Sequence, residues 1–374
     1  MILRKTAFLL VLFMPLLGLG QTRTMKNQLI VGSYTKTQSH GLFSFNFNGG
    51  LELKSEADHV FHPSYLVLNK DGTHIYAVNE GGAKNSAVSA FRYDKNTGKF
   101  SLINSELTQG AAPCHVTLSP DEKFLFAANY NGGSLSVFPI NEDGSLAPLA
   151  QLLKHEGSSV NKNRQNEPHV HSTNFSPDGT ILYAADLGTD KIVAYRYHPE
   201  DKKPLTASPE LDITIDAGFG PRHFTFNKQG DRLYVMSEMK AYVSVFEYKN
   251  HKTTLIQEIN TNAPDFKGED SGADIHLSAD GRFLYTSNRG DANSIAIFAV
   301  EADGKLKRVA NESTRGKGPR NFVIDPTDNY LLVAHQYTNN IVVFKRDKKT
   351  GLLKCLSETN EVGSPVCLKF VELN

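Results

Sequence analysis

What the chain has little of narrows the field first. Its three cysteines, Cys114, Cys355 and Cys367, cannot pair evenly and show no metal-type spacing, so neither a disulfide framework nor a thiolate zinc site organises the fold. Cys355 and Cys367 stand in apolar stretches, where a cysteine is expected to act as a small buried hydrophobe. Neither sign of charge prevails. The 40 Lys and Arg residues balance 40 Asp and Glu, which leaves no global field to gather nucleic acid or an anionic membrane. Any anion binding must therefore come from local placement. No stretch carries a helical period, and there is no Gly-rich phosphate loop, nucleophile elbow or interleaved basic-aromatic surface. The one sustained apolar run, Ala7 to Leu17, follows Arg4 and Lys5 and leads into small residues through Gly18 and Gly20. It is too short to span a bilayer and no cysteine follows to take a lipid. Residues 1–20 thus read as a signal peptide cleaved near Gly20, which implies an exported, periplasmic or secreted protein with no stable membrane association. Translation from Met25 would instead give a cytoplasmic protein.

What the chain does have is a phrase that recurs about every 50 residues, a period that marks stacked or radial repeats. Ser119-Pro120-Asp121 leads to Phe126-Ala127-Ala128-Asn129-Tyr130, and Ser176-Pro177-Asp178-Gly179 leads to Tyr183-Ala184-Ala185-Asp186. Gly220-Pro221-Arg222-His223, Ala273-Asp274-Ile275-His276 and Gly318-Pro319-Arg320-Asn321 open further copies. Each copy holds four strand-like runs. In the second these are Val116 to Ser119, Phe124 to Asn129, Ser134 to Pro139 and Pro148 to Leu153, with turns at Pro120-Asp121, Asn131-Gly132-Gly133 and Asn141 to Gly144. Seven such copies predict an all-β, seven-bladed β-propeller over residues 27–374, with four antiparallel strands per blade. The seventh copy is split: Ser364 to Phe370 supplies its first strand and Leu29 to Tyr34 its second, so the chain ends should close the last blade together. Polar inserts at Lys154 to Glu167 and Ala263 to Ser271 are expected to be solvated loops of the kind that can cover a site. The recurrent Tyr76, Phe126, Tyr183, Tyr234 and Tyr285 are expected to pack between blades.

In a hairpin, the start of the first strand and the end of the second share an edge, so both should reach one mouth of the central channel. The opening positions read Ser64, Cys114, His171, Arg222, Ala273, Arg320 and Val366. The closing positions read Tyr34, Glu80, Tyr130, Leu187, Glu238, Arg289 and Gln336. A merely structural repeat position should be uniform or apolar, and these are not. Arg222 and Glu238 should be neighbours, one hairpin apart. On its own that pair could be no more than a partly exposed ion pair. Three arginines at one narrow mouth repel one another unless an anion shares them, which points to a carboxylate or phosphate clamp. Arg320, Glu80, Asn129 and His169 are expected to add substrate-binding groups. His169 and His171 alternate like metal ligands but lack a third partner at matching spacing. Glu80, Asn129 and Asp186 could hold a hard cation or simply plug the channel with ordered water. His223 and His276 are expected to be hydrogen-bonded parts of the core.

The blocks Gly218-Phe219-Gly220-Pro221-Arg222-His223, Tyr234 to Glu238, and Ala273-Asp274-Ile275-His276 through Asp280-Gly281-Arg282 to Arg289 resemble the seven-bladed propeller lactonases. That family includes propeller-type 6-phosphogluconolactonases and the fungal carboxy-muconate lactonizing enzyme. The resemblance covers essentially everything after Lys26. It implies a catalytic set of His171, Arg222, Glu238 and Arg289, which the two columns also pick out. The export segment departs from the family pattern, because the phosphorylated lactone is a cytosolic metabolite. The resemblance implies hydrolysis of a small, anionic, sugar-derived lactone without a cofactor or an obligatory metal. Arginines would polarise the ester carbonyl, and either Glu238 or His171 would act as base while the other protonates the leaving oxygen. Two other readings share these residues: reversible cyclisation of an unsaturated dicarboxylate, and a non-catalytic binding scaffold.

Overall fold

A computed structural model describes residues 27–35, 40–57 and 60–371. The proposed export segment lies outside them. Within them the strands form seven sheets, six built from consecutive hairpins and one in which Pro365–Val371 pairs with Asn27–Ser33, followed by Leu42–Phe47 and Leu51–Ala57. The split blade thus forms as the repeat pattern requires, with Val31 opposite Leu368 in antiparallel register. Each first strand packs against the first strand of the next blade, and the cycle closes from Pro365–Val371 back to Leu66–Leu68. The result is a seven-bladed ring around a central channel. Its described helical content is one 3-10 turn, Pro209–Leu211, which interrupts the outer strand of the third blade.

In the second blade the middle strands are Phe124–Asn129 and Ser134–Pro139, as the turn residues mark them. The first strand starts earlier than expected, at Pro113, because Pro113 already stands opposite Asn129. The outer strand is Gln151–Lys154 and excludes Pro148, which has no N–H to give to a ladder.

The core is divided. Seven apolar clusters fill the seven blade interfaces, so each sheet is buried on both faces by its neighbours. The recurrent aromatics lie in these clusters, and three tyrosines add a tether. The hydroxyls of Tyr76, Tyr234 and Tyr285 donate to the carbonyls of Gly144, Gly304 and Gly351 in the next blade, at 3.0, 2.9 and 2.8 Å. Those glycines turn with positive φ. A Cβ on Gly304 would sit 2.4 Å from Arg232 Nε, so the turn takes glycine for both conformation and space.

The Ser-Pro-Asp phrase is a hairpin staple. Ser119 Oγ donates to Asp121 Oδ1 at 2.6 Å and accepts from the Phe124 N–H at 3.0 Å, and Ser176 and Ser278 repeat the arrangement. One cysteine departs from expectation. Cys367 and Cys114 are buried, but Cys355 is exposed because it lies on an outermost strand, Leu353–Thr359, whose edge no further blade covers.

Candidate active site

Six of the seven first strands enter the channel through a β-bulge. Register slips between Pro113 and His115, Val170 and Ser172, Pro221 and His223, Gly272 and Ile275, Pro319 and Asn321, and where Gly32 and Ser33 face Cys367 and Pro365. The residues left out of the ladders are Cys114, His171, Arg222, Ala273 with Asp274, Arg320 and Val366. A bulged residue is released from pairing and its side chain is re-aimed, which is how the opening positions come to face the channel. A preceding Xaa-Pro step sets the turn in several blades: Ala112, Gly220, Gly318 and Ser364 have φ of 52, 67, 70 and 48°.

These side chains meet the ends of the second strands around a cavity of about 310 Å³ lined by Tyr34, Glu80, Cys114, Tyr130, Arg164, His171, Glu238, Arg289 and Arg320. Glu238 is its hub. Its Oε2 accepts from Arg222 Nε at 3.1 Å and lies 2.9 Å from Arg289 Nη2, and its Oε1 accepts from Arg164 Nη2 at 2.7 Å. Burial would raise the pKa of Glu238, but Arg289, Arg222 and Arg164 hold the carboxyl far below the usual range. It is therefore ionised throughout the physiological range. Arg222 is almost wholly buried, with Nη1 on the Ala273 carbonyl at 2.6 Å. Burial, with Arg289 and Arg320 nearby, lowers its pKa to about 10, so it stays cationic at neutral pH.

His171 Nε2 stands 4.0 Å from Glu238 Oε2. Burial, then Arg222, His223 and Arg320, push its pKa well below 6.5, so the imidazole is neutral. Arg320 differs from the other arginines. Its guanidinium lies 5.7 Å over the Tyr34 ring, and among the described residues no hydrogen bond or ion pair engages it. Glu80, the second carboxylate, accepts from Tyr34 Oη at 2.8 Å and from Ser64 Oγ. Cys114 lines the cavity, but burial raises its thiol to about 12, which makes it inert as a nucleophile.

The structure thus brings His171, Arg222, Glu238, Arg289, Arg320 and Glu80 to one mouth. Two expected members stand back from it. Asn129 is fully buried and its amide donates to Ser134 and Ser136 Oγ at 3.1 and 2.9 Å, tying its own hairpin. His169 stacks on the Tyr130 ring at 4.5 Å and does not line the cavity. The suggested cation cluster does not assemble. Asp186 bonds to His155 Nδ1 at 2.8 Å and to the N–H groups of His169 and Gly188, far from a shared site with Glu80. Among the described residues, no three His, Cys, Asp or Glu side chains are grouped to hold a metal ion.

The residue that sequence reasoning missed is Arg164. It belongs to no repeat and sits on the polar insert, where the only available signal was that such loops can cover a site. The insert is pinned: Gln165 Nε2 donates to the Leu187 carbonyl at 2.9 Å, and Ser159 Oγ donates to Asp190. Arg164 then reaches across the mouth to Glu238 and to Tyr130 Oη, 3.0 Å away.

No helix among the described residues is long and apolar enough to cross a membrane. The family model described as "Lactonase, 7-bladed beta-propeller" matches residues 28–370. A 6-phosphogluconolactonase of Bacillus subtilis is 36% identical over 347 residues, covering 91% of this chain and 97% of that protein. One of Formosa agariphila is 37% identical over 339 residues, covering 88% and 95%. The solved structure of a periplasmic gluconolactonase of Pseudomonas aeruginosa superposes with a TM-score of 0.88 at 37% identity, covering 92% of this chain and 99% of that one. Matched across all seven blades and along nearly the whole length of these relatives, the chain belongs to the seven-bladed β-propeller lactonase family.

Proposed function

We propose that this protein is a 6-phosphogluconolactonase-type hydrolase that opens 6-phosphogluconolactone to 6-phosphogluconate at the cavity around Glu238. The observation that carries the proposal is the charge of that cavity. The guanidiniums of Arg164, Arg289 and Arg320 line it together with the carboxylates of Glu80 and Glu238, and the buried Arg222 backs Glu238 from behind, a formal surplus of two positive charges beside one neutral imidazole. A phosphate monoester carries between about 1.5 and 2 negative charges at neutral pH. Arg320, whose guanidinium makes no hydrogen bond or ion pair among the described residues, is the natural seat for that phosphate.

The roles follow from charge state. Glu238 is too well compensated to accept a proton, so it organises the arginines. His171, neutral and beside it, takes a proton from the attacking water as that oxygen bonds to the lactone carbonyl carbon. Arg289, whose side chain lines the cavity, supplies donor density for the oxyanion. Collapse of the tetrahedral intermediate breaks the bond from the acyl carbon to the ring oxygen, and the imidazolium returns the proton to that oxygen. Water and lactone are thereby converted to one hydroxy acid.

Export is a separate reading, which leaves the lactone chemistry intact but sets the enzyme apart from the cytosolic phosphorylated lactone. The basic and apolar pattern of residues 1–20 and the likeness to a periplasmic gluconolactonase both support it. The function is tested by offering the purified protein 6-phosphogluconolactone and following acid release above the spontaneous rate. Turnover in the wild type, with a loss of at least about 100-fold in His171→Gln, is expected. No acceleration by the wild type would refute the activity, and full turnover in the variant would refute the base.

A further inference from the structure

Beneath the cavity the channel holds further titratable residues that the mechanism leaves unused, among them His223, Asp274 and His276, with His115, Tyr65 and Lys369 beside them. Asp274 is buried in the bulge of the fifth blade, and its carboxylate gathers five donors. They are His223 Nδ1 at 2.7 Å, His276 Nε2 at 3.0 Å, the Asn321 amide, and the N–H groups of Ile275 and Phe322 at 3.0 and 3.3 Å. Although burial opposes its charge, the two histidines, His276 foremost, hold Asp274 well below the usual carboxylate range. An ionised carboxylate only accepts, so the proton of neutral His223 must sit on Nδ1 and its Nε2 must be a bare acceptor. That Nε2 is buried and has no hydrogen-bond partner among the described residues, and the same is true of His171 Nδ1. The two rings stand edge to face with centroids 5.3 Å apart.

We propose that His223, oriented by Asp274, is a positioning residue that fixes the tautomer of His171. Two orphaned buried nitrogens on adjacent rings are satisfied together if His171 Nδ1 carries a proton and delivers it toward His223 Nε2 through one ordered water, because buried polar groups of this kind are nearly always paired. A water could also donate to both nitrogens, so the direction is set by the role of His171: a base at Nε2 carries its proton on Nδ1. His171 Nδ1–H donates to the water, the water donates to His223 Nε2, and His223 Nδ1–H donates to Asp274. His171 Nε2, the nitrogen nearest Glu238, is thereby left unprotonated, which is the form a general base requires. The inference rests on the assignment of His171 as base, but its geometry does not depend on which lactone is hydrolysed.

The groups around His223 come from every neighbouring blade: Arg222 on its own strand, Asp274 and His276 from the fifth blade, His171 from the third, His115 from the second and Tyr65 from the first. Burial and then Arg222 depress His223 to about 4, with Asp274 opposing. It therefore stays neutral, and an acceptor at Nε2, across the working range.

The test is nitrogen-15 NMR of histidine-labelled protein, with the His171 signals assigned by their loss in His171→Gln. In the wild type His171 is expected as a single tautomer protonated at Nδ1. A proton on Nε2 instead overturns the proposal without any substrate. In His223→Phe, which keeps a ring but removes the acceptor, the two tautomers should mix, and kcat should fall about 10- to 100-fold with KM nearly unchanged. His223→Gln, whose amide oxygen can accept, should restore most of the rate. A folded His223→Phe protein with an unchanged tautomer and wild-type kcat would also overturn it. Inactivity of the wild type on lactones, with the tautomer still responding to His223, would sink the proposed function and the role of His171 as base while leaving the control of its tautomer by His223 standing.

Discussion

At the scale of single residues, proximity does not set role; charge state does. Glu238 and His171 are adjacent, and the spacing of their blades leaves either of them free to be the base. Only the distances to Arg164, Arg222 and Arg289 separate them, because three guanidiniums fix Glu238 as a carboxylate while burial keeps His171 neutral. Glu238→Gln should therefore lower kcat by about 100-fold through disordered arginines rather than through a lost base, with each misplaced donor costing ~2.7 to 4 kcal/mol in the transition state. Steady-state kinetics beside a thermal melt will separate this from unfolding. The pH profile carries the same logic. A histidine depressed in the fold stays deprotonated below its ordinary pKa, so the acid limb of kcat/KM for the free enzyme should lie below pH 6.5. An acid limb at or above 6.5 would reassign the base.

At the scale of elements, the bulge turns a repeated hairpin into a functional one. The alternation of side chains could have hidden Arg222, His171 and Arg320 in blade interfaces, but the slipped register turns them to the channel. The repeat spacing made their positions legible in the sequence, since equivalent places in a propeller share a location whatever residue fills them. The same logic misled for Asn129. It stands one residue before the closing position Tyr130, and Ser134 and Ser136 across the hairpin capture its amide. It could not reach Arg164, which lies on an insert with no counterpart in other blades. Because the Arg164 side chain is 44% exposed, its contribution is discounted for solvent screening. Arg164→Ala should raise KM several-fold with kcat within about threefold of wild type, as steady-state kinetics would show. The blade tethers are a separate matter. Tyr234→Phe removes only the bond to Gly304 and should cost about 1 kcal/mol by denaturant titration, with activity unchanged.

At the scale of the whole molecule, seven interface clusters make a ring whose stability depends on closure. Pro365–Val371 is the inner strand of the last blade and pairs with Asn27–Ser33, so the ends of the chain hold each other. Deleting residues 365–374 should expose two blade faces and lower the denaturation midpoint far more than deletion of an outer strand. The buried channel also makes the ring sensitive to acid. His115, His171 and His223 are depressed by burial in the fold, so the unfolded chain binds more protons below about 6.5. Stability should be complete above that value and decline as pH falls toward 4, with the depressed Glu238 adding to the loss below its unfolded pKa. Denaturant midpoints at pH 7.5 and 4.5 will check this. Ring closure and blade number were readable because turns and strand lengths are local properties. Charge compensation at the mouth was not, because it joins residues up to 74 positions apart. The central claim is that surplus guanidinium charge at one mouth recruits a phosphorylated lactone. Its most direct test is the ratio of kcat/KM for 6-phosphogluconolactone over gluconolactone, measured for the wild type and for Arg320→Met. A ratio of at least about 100 that collapses in the variant is predicted, in line with the strength of charge-assisted phosphate contacts. A ratio near one in the wild type, or one untouched by losing Arg320, would contradict it.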